Sequence, residues 1–558
     1  MMENNDCEVI VVGAGPTGLL SAALLARCGV RVRVFDKNPD QVHESRALAV
    51  QPRTLEQFLS LGLVEKLFER GTTIASARMF VDGKAKVELH FDDVNRRDTP
   101  YTSILVVSQR DTEAVLNEEV RRLGVTVERS VEVLGLAQTD TGVTARARGA
   151  DGTEFELGAK YLIGADGAHS IVRKALGLRF EGGAYPQSFL LADCRVEGLP
   201  ISDGFGIFLH GRSFGVFIPL PGEPGMGRII TMDPKADGDR DDSVDRQGGR
   251  DAPLSAVQES FRAATNSEVT LSDASWSSLY RVHHRGVDRY RVNRVFVAGD
   301  AAHIHSPAGG QGMNTGLQDA ANLAWKLVLA LRGQARAEES LGSYHDERWP
   351  VGQRVLKVTD EMFSTMASQS GWFSTLRNAL VPQVAGILSH ADFVRERMFN
   401  FVSQLGIHYE KGEGKLDESG RDGTHFWKHG PASGHRAPDA FFARNQDVFG
   451  LLTGYQFHVL ALSRRPLAGD EVEPLRAGLA ALPQPPGLGV AAHVIASASG
   501  RRGEPIIRAE AIGAFTAYGL DHETAQALYL VRPDGYVAWR ADRLDLPALA
   551  GFLREMFC

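Results

Sequence analysis

Cysteine is scarce, with 4 in 558 residues. Cys7, Cys28, Cys194 and Cys558 stand far apart, with neither C-x-x-C nor metal-ligand spacing. That excludes a disulfide framework and a dithiol redox centre, and it suits a reducing cytoplasm. Positive charge is not in excess either: 61 Lys and Arg face 69 Asp and Glu, for a formal net charge of −8. Neutralising phosphates takes clustered cations, so no nucleic-acid partner is expected. No apolar run is long enough to span a bilayer, and the first residues, MMENNDCE, lack the basic region of a signal peptide. A soluble cytoplasmic protein is the expectation, with no membrane partner. Internal repeats and low-complexity tracts are absent too. What remains is ordinary globular composition, 43% hydrophobic and 23% charged, in a chain long enough for roughly two to four domains.

The first informative segment reads strand, glycine turn, helix, strand. Val9 to Val12 form a β-branched run, residues 19–28 are helix formers that close at Gly29, and residues 30–35 make a second strand ending at Asp36. Such a β-α-β unit implies a parallel pair with a right-handed crossover. Its turn, Gly13-Ala14-Gly15-Pro16-Thr17-Gly18, is a G-x-G-x-x-G. Gly13 permits the tight turn, Gly15 lets the backbone approach a pyrophosphate, and Gly18 lets helix and strand pack closely. The helix N-terminus offers N–H donors to phosphates, and Asp36 is placed to accept from a ribose. This predicts dinucleotide binding.

Two further signals follow. Gly164-Ala165-Asp166-Gly167 closes a short β run at residues 161–163; alone, Asp-Gly is a turn. The third runs from Arg294 to Gly316: a strand ending in Gly299-Asp300, a glycine-rich loop through Pro307, then Gly312-Met313-Asn314 opening an apolar helix over residues 317–331. Asp300 can bond a polyol at the strand end, and the loop lets peptide N–H groups converge at a helix N-terminus. Between these motifs the pattern predicts helices over 54–71 and 111–123 and a β meander over 126–163. An aromatic-rich β region follows over 180–291, with an exposed loop at 233–253. A helical stretch over 341–404, a linker rich in glycine and charge, and an α/β unit from 431 complete the chain.

The three motifs in this order resemble the single-component FAD-dependent aromatic hydroxylases, such as para-hydroxybenzoate hydroxylase. The long signature GDAAHIHSPAGGQGMNTGLQDAANLAWKL is closer to pentachlorophenol monooxygenase and the aklavinone-type polyketide hydroxylases. The resemblance implies a Rossmann-type FAD-binding domain over 1–180 and 292–409, the second part including the helical region. It further implies an inserted β-sheet substrate domain over 181–291, a linker at 410–430, and a thioredoxin-like domain over 431–558 without C-x-x-C, structural or oligomeric in role. It assigns FAD to Gly13, Gly15, Pro16, Thr17, Gly18, Asp36, Arg46, Gln109, Asp166, Asp300, Pro307, Gly312, Met313 and Asn314. The implied activity is hydroxylation of a phenolic or polycyclic aromatic, possibly polyketide, substrate by NADPH or NADH and O2, through a flavin C4a-hydroperoxide. No second G-x-G-x-x-G follows a strand, so no separate nicotinamide domain is expected.

For the substrate wall the alternation on the strands nominates Phe208, His210 and Phe217, with Phe214, Tyr280, Arg281 and His283 beside them. No catalytic base is named. His303 and His305 stand at i and i+2, but no third ligand of matching spacing follows, so no metal is expected. A Baeyer–Villiger or epoxidising enzyme on the same scaffold, or a non-catalytic FAD-binding protein, is the alternative. The oligomeric expectation is a monomer or homodimer.

Overall fold

The computed structural model describes residues 7–41, 47–74, 76–90, 96–201, 204–233, 250–305, 310–334, 336–366, 392–410, 416–417, 430–497 and 506–557. Most of the expected loop at 233–253 and of the linker lies outside these.

A six-stranded sheet forms the base, in the order Arg291–Val292, Val295–Val297, Tyr161–Gly164, Val9–Val12, Val32–Asp36, Val127–Arg129. All neighbours are parallel except the short first strand. Val9–Val12 lies at its middle and is buried throughout, which is why it is apolar at every position instead of alternating. Helix α1 (Pro16–Arg27) starts with proline in its first turn, where the missing N–H costs nothing. Helix α2 (Pro52–Ser60) follows, and helix α3 (Gln109–Arg122) packs on α1. The Ser108 hydroxyl caps α3 by accepting from the Asp111 N–H at 3.0 Å, so this helix begins two residues earlier than its apolar spacing implies. The meander is a three-stranded antiparallel sheet, Glu132–Gln138, Val143–Arg148 and Glu154–Ala159.

Above the base stands a nine-stranded sheet. Two strands of 18 residues, Phe180–Glu197 and Thr270–Val287, form its spine. Ser76–Val81 and Lys84–His90 join it through a parallel pairing with Phe205–His210, so the sheet draws strands from outside 181–291. Helix α4 (Leu254–Thr265), which the sequence reading did not foresee, covers one face with Val257 and Phe261. Helices α5 (Gly312–Leu331) and α6 (Ala337–Met366) then return the chain to the base.

The C-terminal residues build a mixed six-stranded sheet, in the order Leu416–Asp417, Val537–Ala541, Gln526–Val531, Phe457–Ser463, Val490–Ser497, Ile507–Ala509. One of its faces shares the main hydrophobic core: Phe457, Val459, Leu528 and Trp539 cluster with Leu24, Leu323 and Trp325. Trp325 meets Phe457 edge to face at 5.7 Å, and Tyr455 Oη donates to the Ala321 carbonyl at 2.5 Å. Because this core is continuous, thermal unfolding should be one cooperative transition. Trp325→Ala should lower stability by roughly 3–5 kcal/mol without splitting it; two resolved transitions in the parent protein would refute the shared core.

Candidate active site

The first glycine turn is built by contact. Gly13 has φ 100°, and a Cβ there would lie 2.3 Å from the Ala165 carbonyl oxygen; one on Gly18 would lie 2.0 Å from the Gly13 oxygen. Gly13 therefore packs backbone to backbone against the Asp166 motif, and Gly18 lets α1 close on its strand. Gly15 differs: nothing lies within 4 Å of the equivalent position, and as N-cap of α1 it provides no side-chain cap. Open space thus faces uncapped N–H groups, the arrangement that receives phosphate. Thr17 fills the gap left by Gly299 and Gly316, its Oγ1 at 2.7 and 2.4 Å from their would-be Cβ atoms. Asp36, largely buried, accepts from the Ala14 N–H at 2.7 Å and the Asn38 N–H at 2.8 Å, with Arg129 at 3.6 Å. It braces the turn as well as ending the strand.

Gln109 opens α3, its N–H donating to the Ala47 carbonyl at 3.0 Å and its Nε2 to Glu113 Oε1 at 3.0 Å. Glu113 went unnoticed in the sequence. It is 2% exposed, and burial pushes its carboxyl up to about 7 against the pull of Gln109 and Arg129, with Asp36 adding to the push.

Asp166 spends both oxygens inside the protein, accepting from Ser170 Oγ at 2.5 Å and from the Ile171 and Val172 N–H groups at 2.7 and 3.2 Å. It caps the short helix Ile171–Ala175, and burial raises its carboxyl despite those bonds. Arg173 of that helix donates to the Ala168 and Ala301 carbonyls at 2.7 and 3.1 Å, joining the second motif to the third. Asp300 is exposed in the turn Gly299–Ala301. Asn314 is fully buried: its Nδ2 donates to the Ala49 and Gly310 carbonyls at 2.8 and 2.9 Å, and its Oδ1 accepts from the Gln51 N–H at 2.9 Å. Its side chain holds the strand Ala49–Val50 against α5, while Gly312 and partly buried Met313 begin the helix. Gln311, the N-cap of α5, gives no side-chain cap. Arg46 and Pro307 lie outside the described residues.

His303 is buried with Nε2 2.8 Å from Asp319 Oδ2. Among the described residues no group of three or more His, Cys, Asp or Glu could hold a metal.

The substrate-wall residues need correction. Phe208 stacks on Phe80 at 4.8 Å and meets Phe261 of α4 edge-on at 5.7 Å. Phe217 covers Gly227, where a Cβ would lie 2.1 Å from its ring. Both belong to the core beneath α4, on the sheet face turned from the glycine loops. His210 ends its strand at the surface, 2.8 Å from Asp82. Arg281 is partly buried between Tyr280 and Val282, which belong to the other face, so it points away from them. That other face carries Phe214, Tyr280, Phe205, Ile207, Ile218 and Ile230. Phe205 and Ile218 also pack on Leu48, Ile74 and Val106, beside the strand that Asn314 holds. The named aromatics thus divide between two faces, and α4 covers the one with Phe208 and Phe217.

The sequence model of the family described as "FAD binding domain" matches residues 6–359. The chain belongs to that family. The 6-methylpretetramide 4-monooxygenase of Streptomyces rimosus is 37% identical over 72% of this chain and 70% of its own length. The pentachlorophenol 4-monooxygenase of Sphingobium chlorophenolicum is 31% identical over 85% of this chain and 83% of its own. A solved ternary complex of aklavinone-11 hydroxylase with FAD and aklavinone covers all of both chains at 26% identity and a TM-score of 0.75. This chain is thus an FAD-dependent enzyme of the aromatic-monooxygenase family, with the mixed α/β fold of its hydroxylases. The two open helix ends, the space before Gly15 and the exposed Asp300 fit such a cofactor.

Glu113 gives a test with a defined sign. Its folded carboxyl titrates at about 7 against an ordinary 4.5, so the apoprotein loses stability as pH rises through that window. Glu113→Gln should match the parent below about pH 4.5 and exceed it by on the order of 3 kcal/mol above about pH 7. Urea unfolding of both apoproteins at each pH reads this; a pH-independent difference would dismiss it.

Proposed function

We propose that this protein uses NAD(P)H and O2 to hydroxylate a phenolic or polycyclic aromatic substrate of the polyketide class. The observation carrying this reading is the apolar sheet face of Phe205, Ile207, Phe214, Ile218 and Ile230, which packs on Leu48, Ile74 and Val106 beside the strand that Asn314 of α5 holds. A broad apolar wall beside uncapped N–H groups suits a flat ring system. The printed activities of the relatives, on a pretetramide, a chlorinated phenol and a bound aklavinone, support the same class.

FAD, held by Gly13, Gly15, Pro16, Thr17, Gly18 and Asp36 at one end and by Asp300 and the Gly312–Asn314 backbone at the other, supplies the redox and oxygen-transfer chemistry. Arg46, Gln109, Asp166 and Pro307 complete our assignment, Asp166 acting by fixing the Ile171–Ala175 turn. The protein's own contribution is electrostatic and steric. The α5 N–H groups stabilise negative charge at a ring edge, where such preorganised donors are typically worth roughly 3–4 kcal/mol. The apolar wall excludes water and orients the substrate. Tyr185, whose hydroxyl donates to Asp360 at 2.5 Å, keeps its proton because burial raises it; with that proton committed to Asp360, the ring is pinned at the wall's edge.

We divide the chain as the motifs do, FAD-binding segments flanking a substrate sheet, and read the C-terminal unit as thioredoxin-like. Supporting that reading, Phe457–Ser463 runs parallel to Val490–Ser497 and antiparallel to Gln526–Val531. Buried thiols outside any disulfide at Cys7, Cys28 and Cys194 suit a cytoplasmic enzyme, monomer or homodimer.

Stopped-flow reduction across phenols and aromatic polyketides tests the function. A true substrate should speed flavin reduction by NADPH or NADH and take one atom from 18O2 into a ring hydroxyl. Lactone or epoxide products would favour the alternative oxygenations, and no substrate-stimulated oxidation would favour a non-catalytic FAD protein. Asp300→Ala should purify as colourless apoprotein; full flavin occupancy would remove Asp300 from the cofactor site.

A further inference from the structure

The hairpin tip between Gln526–Val531 and Val537–Ala541 reads as a solvent turn, Arg532-Pro533-Asp534-Gly535-Tyr536. Instead Arg532, Asp534 and Tyr536 are at most 3% exposed. Arg532 forks onto Glu347 of α6, Nη1 to Oε1 at 2.8 Å and Nη2 to Oε2 at 2.9 Å, and its Nε donates to Asp534 Oδ1 at 2.9 Å. Glu347 Oε2 also accepts from Lys326 Nζ at 2.9 Å and Asn322 Nδ2 at 2.6 Å, both on α5. The next residue of α6, Arg348, donates from Nε to Asp319 Oδ1 at 2.7 Å and from Nη2 to the Thr315 carbonyl at 3.1 Å. The other Asp319 oxygen, Oδ2, accepts from the Gly299 N–H at 3.1 Å and lies 2.8 Å from His303 Nε2. Asp319 thereby holds the Gly299 backbone on one side of Asp300 and the His303 side chain on the other.

We propose that Arg532 is a positioning residue for the cofactor loop: through Glu347 it sets the seat of α6, so that Arg348 holds Asp319 and Asp319 holds the turn carrying Asp300. This deepens, and rests on, the reading that FAD binds at Asp300 and the α5 N-terminus. Removing the fork leaves Glu347 with Lys326 and Asn322 of α5 and takes away the tie that seats α6 against the C-terminal hairpin.

The test is a double-mutant cycle on the full-length protein with Arg532→Gln and Asp319→Asn, and Arg532→Lys as the conservative variant. FAD dissociation constants, the flavin absorption spectrum and its midpoint potential are read, with apoprotein circular dichroism and Tm as fold controls. Arg532→Gln is expected to weaken FAD binding about tenfold and to shift spectrum and potential, Arg532→Lys to recover part of this, and the double variant to lose less than the sum. Unchanged affinity, spectrum and potential with only a lowered Tm would overturn the proposal, as would strict additivity. If Arg532→Gln yields no folded protein, Glu347→Gln replaces it in the same cycle under the same criteria. A parent protein that takes up no FAD would sink the functional reading instead, a separate outcome.

Discussion

A helix end that is to receive a cofactor cannot cap itself, and this sets the terms for α5. Its N-cap Gln311 gives no side-chain cap, and the helix is located by contacts along its length. The protein does this with side chains along the body of the helix: Asn314, Asp319, Asn322 and Lys326 are all fully buried, and each fixes a neighbouring element, Asn322 and Lys326 the same one. Asn314 takes the strand Ala49–Val50, Asp319 takes the Asp300 turn and Arg348, and Asn322 and Lys326 take Glu347. Other helix ends are closed by side chains, as with Ser108 on α3 and Ser170 with Asp166 on the short helix. Since α2 and α4 also begin without a side-chain cap, what distinguishes α1 and α5 is the glycine-rich turn before each.

Most of this was visible in the chain wherever a residue's role is local. The glycine motifs could be read because spacing encodes backbone geometry: Gly13 and Gly18 must admit carbonyl oxygens that any Cβ would strike. The polar stripe of α5 could not, since Asp319 finds Arg348 and Glu347 finds Arg532 across 29 and 185 positions. The same limit governs the substrate sheet. Period-two alternation put Phe208 and His210 on one face, but it could not show that α4 covers the face to which Phe208 and Phe217 belong. Glu113 failed for a related reason, because a glutamate on an amphipathic helix reads as solvated until its surroundings are known. The C-terminal hairpin shows the rule in reverse: Pro-Asp-Gly is a sound turn signal, yet turn chemistry says nothing about what the turn is pressed against.

The charges gathered around that hairpin are an expensive way to join two surfaces. Arg532, Lys326, Glu347 and Asp534 balance to zero, but desolvating them costs about what their attraction returns, so such a cluster adds little net stability over apolar packing. The apolar core that already runs from Leu24 through Trp325 to Trp539 would hold the surfaces together without them. What ion pairs add is a unique register: Arg532 meets both Glu347 oxygens in one orientation only, whereas apolar side chains tolerate sliding.

Register matters here because the Asp300 turn is held from two sides by different parts of the chain. Gly299 and His303 hang on Asp319, while His303–Ile304 pairs with Arg285–Gly286 at the foot of the long strand Thr270–Val287. The same strand carries Tyr280 and Val282 of the apolar wall higher up. A shift of α5 along its axis would therefore move the Asp300 turn against the apolar face that carries Tyr280 and Val282. Polar anchoring of α5 and the continuous 18-residue strand are two halves of one constraint that fixes this turn relative to that face.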